Sequence, residues 1–278
     1  MTRRPKSPGF ADLLNSLQSG LETLATAAGD ETLSIHRRRS LDTALRALSG
    51  RIDRLLTDLD PIRQPKSIFD PTNPEILGRI ISLTMVAQER EKLSDVRRFY
   101  GSGIYAIYYT GKFKIYRPIS STETPIYVGK ADPQSNSAKT PMEQGAKLAG
   151  RLNEHKRTIQ KAASLDIDDF ECRFLVVQSG YEAAAENYLI HLFKPLWNNE
   201  TGILYGIGKH GDAATTRANK RSPWDTLHPG RGWAADSLED KKSVAEIEAA
   251  VKSHLAATTI YKSMDVVLSE FVAELRQI

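Results

Sequence analysis

The chain has 278 residues, an apolar fraction of 40%, a charged fraction of 26% and a formal net charge of +4, which suits one large domain or a compact domain with helical extensions. No run of about 18 apolar residues occurs, so a membrane-spanning helix is excluded. The basic start, Met1-Thr2-Arg3-Arg4-Pro5-Lys6, has no apolar stretch behind it, so no secretory signal is expected, and the single cysteine, Cys172, rules out an internal disulfide or a cysteine-based zinc site.

These features fit a cytoplasmic protein. Charge is unevenly spread: residues 1–100 and 101–141 each carry a net +3, residues 142–233 carry +1, and residues 234–278 carry −3. A basic front and an acidic tail fit a nucleic-acid ligand on one face and a protein contact on another.

Residues 1–30 are weakly patterned, and part of them is expected to be mobile. From 31 to 60 the apolar residues Leu33, Leu41, Ala44, Leu45, Leu48, Ile52, Leu55 and Leu56 recur mostly at spacings of three and four, which predicts a helix. The proline-rich stretch Pro61 to Pro74 reads as a loop, and a second helix is expected over about 75–97. The character then changes. Gly103-Ile-Tyr-Ala-Ile-Tyr-Tyr109 is rich in β-branched and aromatic residues and predicts a strand, with Gly111 turning it. Lys114–Arg117 suggests a short extra strand, and Pro125–Gly129 the antiparallel return.

A helix at about 143–163 and a strand at Glu171–Val177, with Cys172 as a small core residue, come next. Ser179-Gly-Tyr-Glu182 has the pattern of a capping box that would open a further helix, ended by Pro195. Residues 206–233 are glycine-, basic- and aromatic-rich with little periodicity. Helices are expected over 236–254 and 259–276. The fold class is therefore α+β, a small antiparallel sheet with flanking helices. It divides into a helical N-terminal extension (1–98), a core (99–234) and a helical C-terminal extension (235–278).

Within the core an ordered series stands out: Gly103-Ile104-Tyr105, Tyr127-Val128-Gly129, Arg151 and His155, Glu186, and Asn198. Arg151 and His155 lie four apart on a predicted helix and share a face. Taken singly, such residues are commonest as solvated charges or half-buried packing tyrosines. Together they supply a hydroxyl, a permanent cation, an imidazole and a carboxylate, the groups that phosphodiester hydrolysis with a divalent metal requires.

The series resembles the GIY-YIG nuclease superfamily over roughly residues 101–200, with a tyrosine tripeptide on each strand of a hairpin, an Arg on the next helix and a Glu on a later one. Gly145-Ala-Lys-Leu-Ala-Gly-Arg151 has the small-residue lead into the Arg helix, and Asn198 matches an Asn common after the Glu. Val128 replaces the middle Ile of the second tripeptide, and the separation of Tyr105 from Tyr127 implies an insertion in the hairpin. The resemblance implies that Glu186 holds one divalent cation, Mg²⁺, which as a hard ion prefers oxygen ligands. It implies that Tyr105 orients and deprotonates the attacking water, its phenol depressed by a nearby cation, with His155 beside it. Arg151 would meet the phosphate, Tyr127 would bond the phosphate or the water network, and Asn198 would position a neighbour or the phosphate. Lys130 fits either a backbone clamp or a solvated lysine.

A second signal is the loop from Gly206 to Trp233. Its Lys209, Arg217, Lys220, Arg221, His228 and Arg231 are the residue types that meet phosphates and base edges. Ser222-Pro-Trp-Asp-Thr-Leu-His-Pro-Gly-Arg231 also resembles the small type II restriction endonucleases of the superfamily, prokaryotic enzymes that cut CCGCGG. The cluster His36-Arg-Arg-Arg39 suits phosphate tracking or a solvated helix start. The leading expectation is thus a Mg²⁺-dependent restriction endonuclease acting on double-stranded DNA. A palindromic site implies a homodimer, with a tetramer as a further option through the termini. The alternatives are a repair or structure-selective nuclease of the same superfamily and a non-catalytic DNA-binding protein on the same scaffold.

Overall fold

The computed structural model describes residues 9–29, 35–59, 62, 69–208, 220–235, 237 and 239–275. Contacts divide the chain into two units, Met1–Ser67 and Ile68–Ile278. In the first, residues expected to be weakly patterned form helix α1 (Phe10–Ala28). Its Leu14, Leu17, Leu21 and Leu24 recur at helical spacing, a signal diluted by the Asn, Ser, Thr and Gly between them. At its start Asp12 accepts the Gly9 N–H at 3.1 Å. Helix α2 (Ile35–Leu59) follows as expected.

The second unit opens with α3 (Pro74–Val86), where the Asn73 side chain accepts the Glu75 N–H and proline fills a first-turn position that has no need of its N–H. The helix stops short of the expected residue 97, because Glu91–Lys92 (β1) pairs into the sheet and Leu93–Asp95 forms a 3₁₀ turn. Helix α3 and β1 belong to the second unit.

Strands β2 (Gly103–Tyr109), β3 (Tyr127–Ala131) and β4 (Phe170–Val176) complete an antiparallel sheet in the order β1-β4-β2-β3. Between β2 and β3 the expected extra strand is instead a 3₁₀ helix, Lys114–Ile119. Its Tyr116 and Ile119 turn into the core, and the hairpin closes with Tyr105 opposite Gly129 and Ile107 opposite Tyr127. The insertion is folded, and the two tyrosine tripeptides pair across it.

The helix expected over 143–163 is two, α4 (Pro141–Gln144) and α5 (Lys147–Lys161), separated at Gly145, whose φ of +76° suits glycine. Helix α6 (Glu182–Phe193) begins without the expected capping box. Its N-cap is Tyr181, and Ser179 Oγ donates instead to the Ala138 carbonyl. The remaining elements are β5 (Lys220–Arg221), α7 (Pro223–Leu227), α8 (Gly232–Ala235), β6 (Glu239–Asp240), α9 (Val244–Ala257) and α10 (Met264–Leu275).

Strand β2 is buried along its whole length, the pattern of a strand covered on both faces. Tyr105, Ile107 and Tyr109 meet Leu148, Leu152 and Ile159 of α5, together with Trp197, Trp224 and the Ile247 and Val251 side chains of α9. Ile104, Ala106 and Tyr108 meet α3, α6 and α10 on the other face. This is the expected α+β arrangement. Cys172 is the small core residue anticipated, its thiol pushed up to about 12 by burial.

Into the first face projects His228, fully buried between Tyr116 Oη at Nε2 and Ser164 Oγ, 2.7 Å from Nδ1. Burial pushes its pKa down to about 3. The unfolded chain takes up this proton near pH 6.5 and the folded chain only near 3, so acid favours unfolding across that window by up to ~1.4 kcal/mol per pH unit. Thermal unfolding between pH 7 and 4 is expected to show a melting temperature that falls more steeply for the natural protein than for His228→Gln.

Candidate active site

Strand β3 is an edge strand, and every second residue points its backbone N–H and C=O away from β2. The chain beyond α6 meets those groups. Asn198 accepts the Val128 N–H at 3.0 Å and donates to the Val128 carbonyl at 2.9 Å, while the adjacent Trp197 N–H donates to the Ile126 carbonyl at 3.0 Å. Two residues further along, Lys130 is near enough to Glu186 to oppose the rise in its pKa. Asn198 ties the chain beyond α6 to the edge of β3.

On the α5 side of the same strand, Tyr105 Oη lies 2.7 Å from His155 Nε2, both groups buried. The Tyr127 ring lies with its centroid 4.7 Å from that of His155 and 6.0 Å from that of Tyr105. Gly129 makes this packing possible, because a Cβ there would stand 2.6 Å from Tyr105 Oη and 2.9 Å from the Tyr127 ring. The Tyr105 phenol is held well above its ordinary pKa, first by burial and next by Tyr127. Arg151 pulls the other way and loses.

One turn before His155, Arg151 is 37% exposed and paired with Glu154 at 2.7 Å. It borders a groove of about 350 Å³ whose lining includes Lys130, Asp132, Lys147 and Glu154. Glu186 is partly buried, and its pKa is raised to about 7. Desolvation is the main cause, with Glu200 and Asp132 adding to it and the Lys130 ammonium and N–H opposing. Lys130 is also ion-paired with Asp132. Asp132 was overlooked in the sequence although it lies two residues beyond Lys130, the spacing that returns a side chain to the same side of a strand. Glu200 carried no comparable signal. Among the described residues no three His, Cys, Asp or Glu side chains converge into a metal cage.

A family model described as the Eco29kI GIY-YIG domain matches residues 97–255. The chain belongs to this GIY-YIG restriction endonuclease family. It is a nuclease, and its domain implies a DNA ligand. The match runs from just before β2 into α9, so it takes in both tyrosine tripeptides, α5, α6 and the 220–235 segment. A search of curated proteins gives no match.

In this GIY-YIG nuclease the Gly206–Trp233 stretch departs from the DNA-contact assignment at two residues. His228 is fully buried, as described above. Arg231 is 5% exposed, bonded to Asp225 Oδ1 at 2.6 Å and to the carbonyls of Gly206 and Ile207 at 2.8 and 3.1 Å. Its guanidinium lies 4.7 Å from the ring centroids of both Trp224 and Trp233. Both are interior residues, because Trp224 and Asp225 drew the segment onto the core. Lys220 and Arg221 do reach the surface, where they pair with Glu239 and Asp240. Lys209 and Arg217 lie outside the described residues, as do the side chains of His36 and Arg39.

Asn198→Ala leaves the buried Val128 N–H and C=O without partners, each worth about 1–3 kcal/mol when unsatisfied. A loss of several kcal/mol in urea unfolding is expected, with Asn198→Asp recovering part of it by keeping the acceptor.

Proposed function

We propose that this GIY-YIG nuclease is a type II restriction endonuclease that hydrolyses phosphodiester bonds in double-stranded DNA at a short palindrome, with Mg²⁺ as cofactor. The observation that carries the reading is the Tyr105–His155 contact beside Tyr127, with Arg151 one turn before His155 on α5 and the partly buried carboxylate of Glu186 on α6. The resemblance of the 222–231 segment to enzymes that cut CCGCGG makes that hexamer the first site to test.

The residues fit a single hard cation. Glu186 is a desolvated carboxylate whose pKa is raised by burial and by Glu200 and Asp132 against the Lys130 ammonium. One carboxylate ligand suits a cation that retains most of its waters. When bound, Mg²⁺ would neutralise charge on the scissile phosphate and the departing 3′ oxygen.

The protein's own groups supply the proton transfer. A phenol held above its ordinary pKa is a poor free base, so Tyr105 acts as a relay. As a water between Tyr105 and the phosphorus gives a proton to Oη, the phenolic proton passes to His155 Nε2. The hydroxide attacks in line, the P–O3′ bond breaks, and the 3′ oxygen is protonated from solvent. Arg151 meets the non-bridging oxygens at the groove edge, where its permanent charge counters the charge that builds on them. Tyr127 donates to the phosphate, Asn198 holds the strand that carries it, and Lys130 lies at the groove mouth. Lys209, Arg217, Lys220 and Arg221 are proposed to contact DNA, the last two by exchanging their carboxylate partners for phosphates. A palindrome is met by two copies related by a two-fold axis.

Glu186→Ala is expected to lower the cleavage rate of duplex DNA about 10²–10³-fold, and cleavage at the normal rate by that variant would remove the carboxylate from the mechanism. Tyr105→Phe is expected to lower kcat about 10²–10⁴-fold with little change in DNA affinity, in single-turnover assays. Because a protonated carboxyl does not hold a cation and Glu186 titrates at about 7, the Mg²⁺ concentration for half-maximal rate should climb roughly tenfold per pH unit below that point. Glu186→Asp, with a different environment for its carboxyl, should shift this midpoint. Discrete bands from plasmid DNA support restriction, preference for branched DNA supports a repair nuclease, and binding without cleavage supports the non-catalytic alternative.

A further inference from the structure

Three of the groups proposed to act at the scissile phosphate, Tyr105, Arg151 and Glu186, sit on β2, α5 and α6, and all three elements start from one buried junction. Ser102 immediately precedes β2, Gln144 ends α4 just ahead of α5, and Glu182 opens α6. Their exposures are 0%, 2% and 3%. Ser102 Oγ donates to Glu182 Oε1 at 2.9 Å, and the Gly180 N–H donates to Glu182 Oε2 at 2.8 Å. The Ser102 N–H donates to Gln144 Oε1 at 2.9 Å, while Gln144 Nε2 donates to the Val177 carbonyl at 2.9 Å and to Ser179 Oγ at 3.1 Å. The Gln144 amide thus bridges the ends of β2 and β4. Backbone bonds from Gly101 N–H to the Gly145 carbonyl (2.8 Å) and from Leu148 N–H to the Gly101 carbonyl (2.9 Å) tie the start of α5 to the same point.

Three polar side chains withdrawn from water are costly unless every group is paired, and a fully paired network is rigid. Apolar residues of similar size would fill the space without that demand, so what the polar set adds is fixed relative placement. From the junction, Tyr105 lies three residues along β2, Arg151 about one turn beyond Leu148, and Glu186 one turn beyond Glu182. We infer that Ser102, Gln144 and Glu182 are positioning residues that hold Tyr105, Arg151 and Glu186 in register with one another. The inference rests on the proposed reading of those three as the reacting set.

The test compares Ser102→Ala, Gln144→Leu and Glu182→Gln with the natural protein in single-turnover cleavage of duplex DNA, DNA affinity by anisotropy without metal, and melting temperature. Misplacement by about 1 Å is enough for a ~10²-fold loss of rate, so kcat should fall about 10–100-fold while DNA affinity stays within about threefold. Glu182→Gln keeps one acceptor and should be milder than Glu182→Ala. Ser102→Ala, which deletes only a hydroxyl, serves if the larger changes prevent folding. A rate within about threefold of normal in a folded variant, or a rate restored by cooling to matched fractions folded, would each overturn the inference. A Glu186→Ala control separates the two claims: if it cleaves normally the reading of the site itself fails, whereas an inactive Glu186→Ala beside a fully active Glu182→Gln removes only the positioning role.

Discussion

Everything at the site depends on how one edge strand is finished. A sheet edge presents backbone donors and acceptors that must find partners, and β3 finds them in the chain beyond α6 rather than in another strand. The Asn198 side chain takes both groups of Val128, and the Trp197 backbone N–H takes the Ile126 carbonyl just before the strand. The strand is thereby fixed from outside while β2 fixes it from inside through the pairs Tyr105–Gly129 and Ile107–Tyr127.

Burial does a second job. Tyr105 and His155 lie in the core under α5, so their contact is shielded from bulk water and one partner can be positioned only with the other. The same burial keeps the phenol in its neutral form, which is why a relay to imidazole fits this geometry better than a free phenolate. Arg151 stands nearer the surface, at the rim of the groove.

Much of this was readable from the residues. β2 was plain because its β-branched and aromatic run has no helical period, and the order Tyr105, Tyr127, Arg151, His155, Glu186, Asn198 carried the family before any coordinates. What was not readable came from tertiary contacts. Lys114–Arg117 has strand-like residues, yet Tyr116 is drawn inward by Trp197 and His228 and the segment coils into a 3₁₀ helix. Ser179 and Glu182 have the letters of a capping box, but each finds a partner elsewhere, Ser179 at Ala138 and Gln144, Glu182 at Ser102 and Gly180. His228 and Arg231 looked like DNA readers because composition reports chemistry and not exposure. The raised pKa of Glu186 needed the fold, since Asp132 and Glu200 come near it only through the strand and the chain beyond α6.

The insertion in the hairpin has a consequence for how local changes spread. Tyr116, carried by that insertion, bonds His228 and accepts from Trp197, so the insertion and the 220–235 segment meet in the core. A change in the length or packing of one is felt by the other, although 112 positions separate Tyr116 from His228.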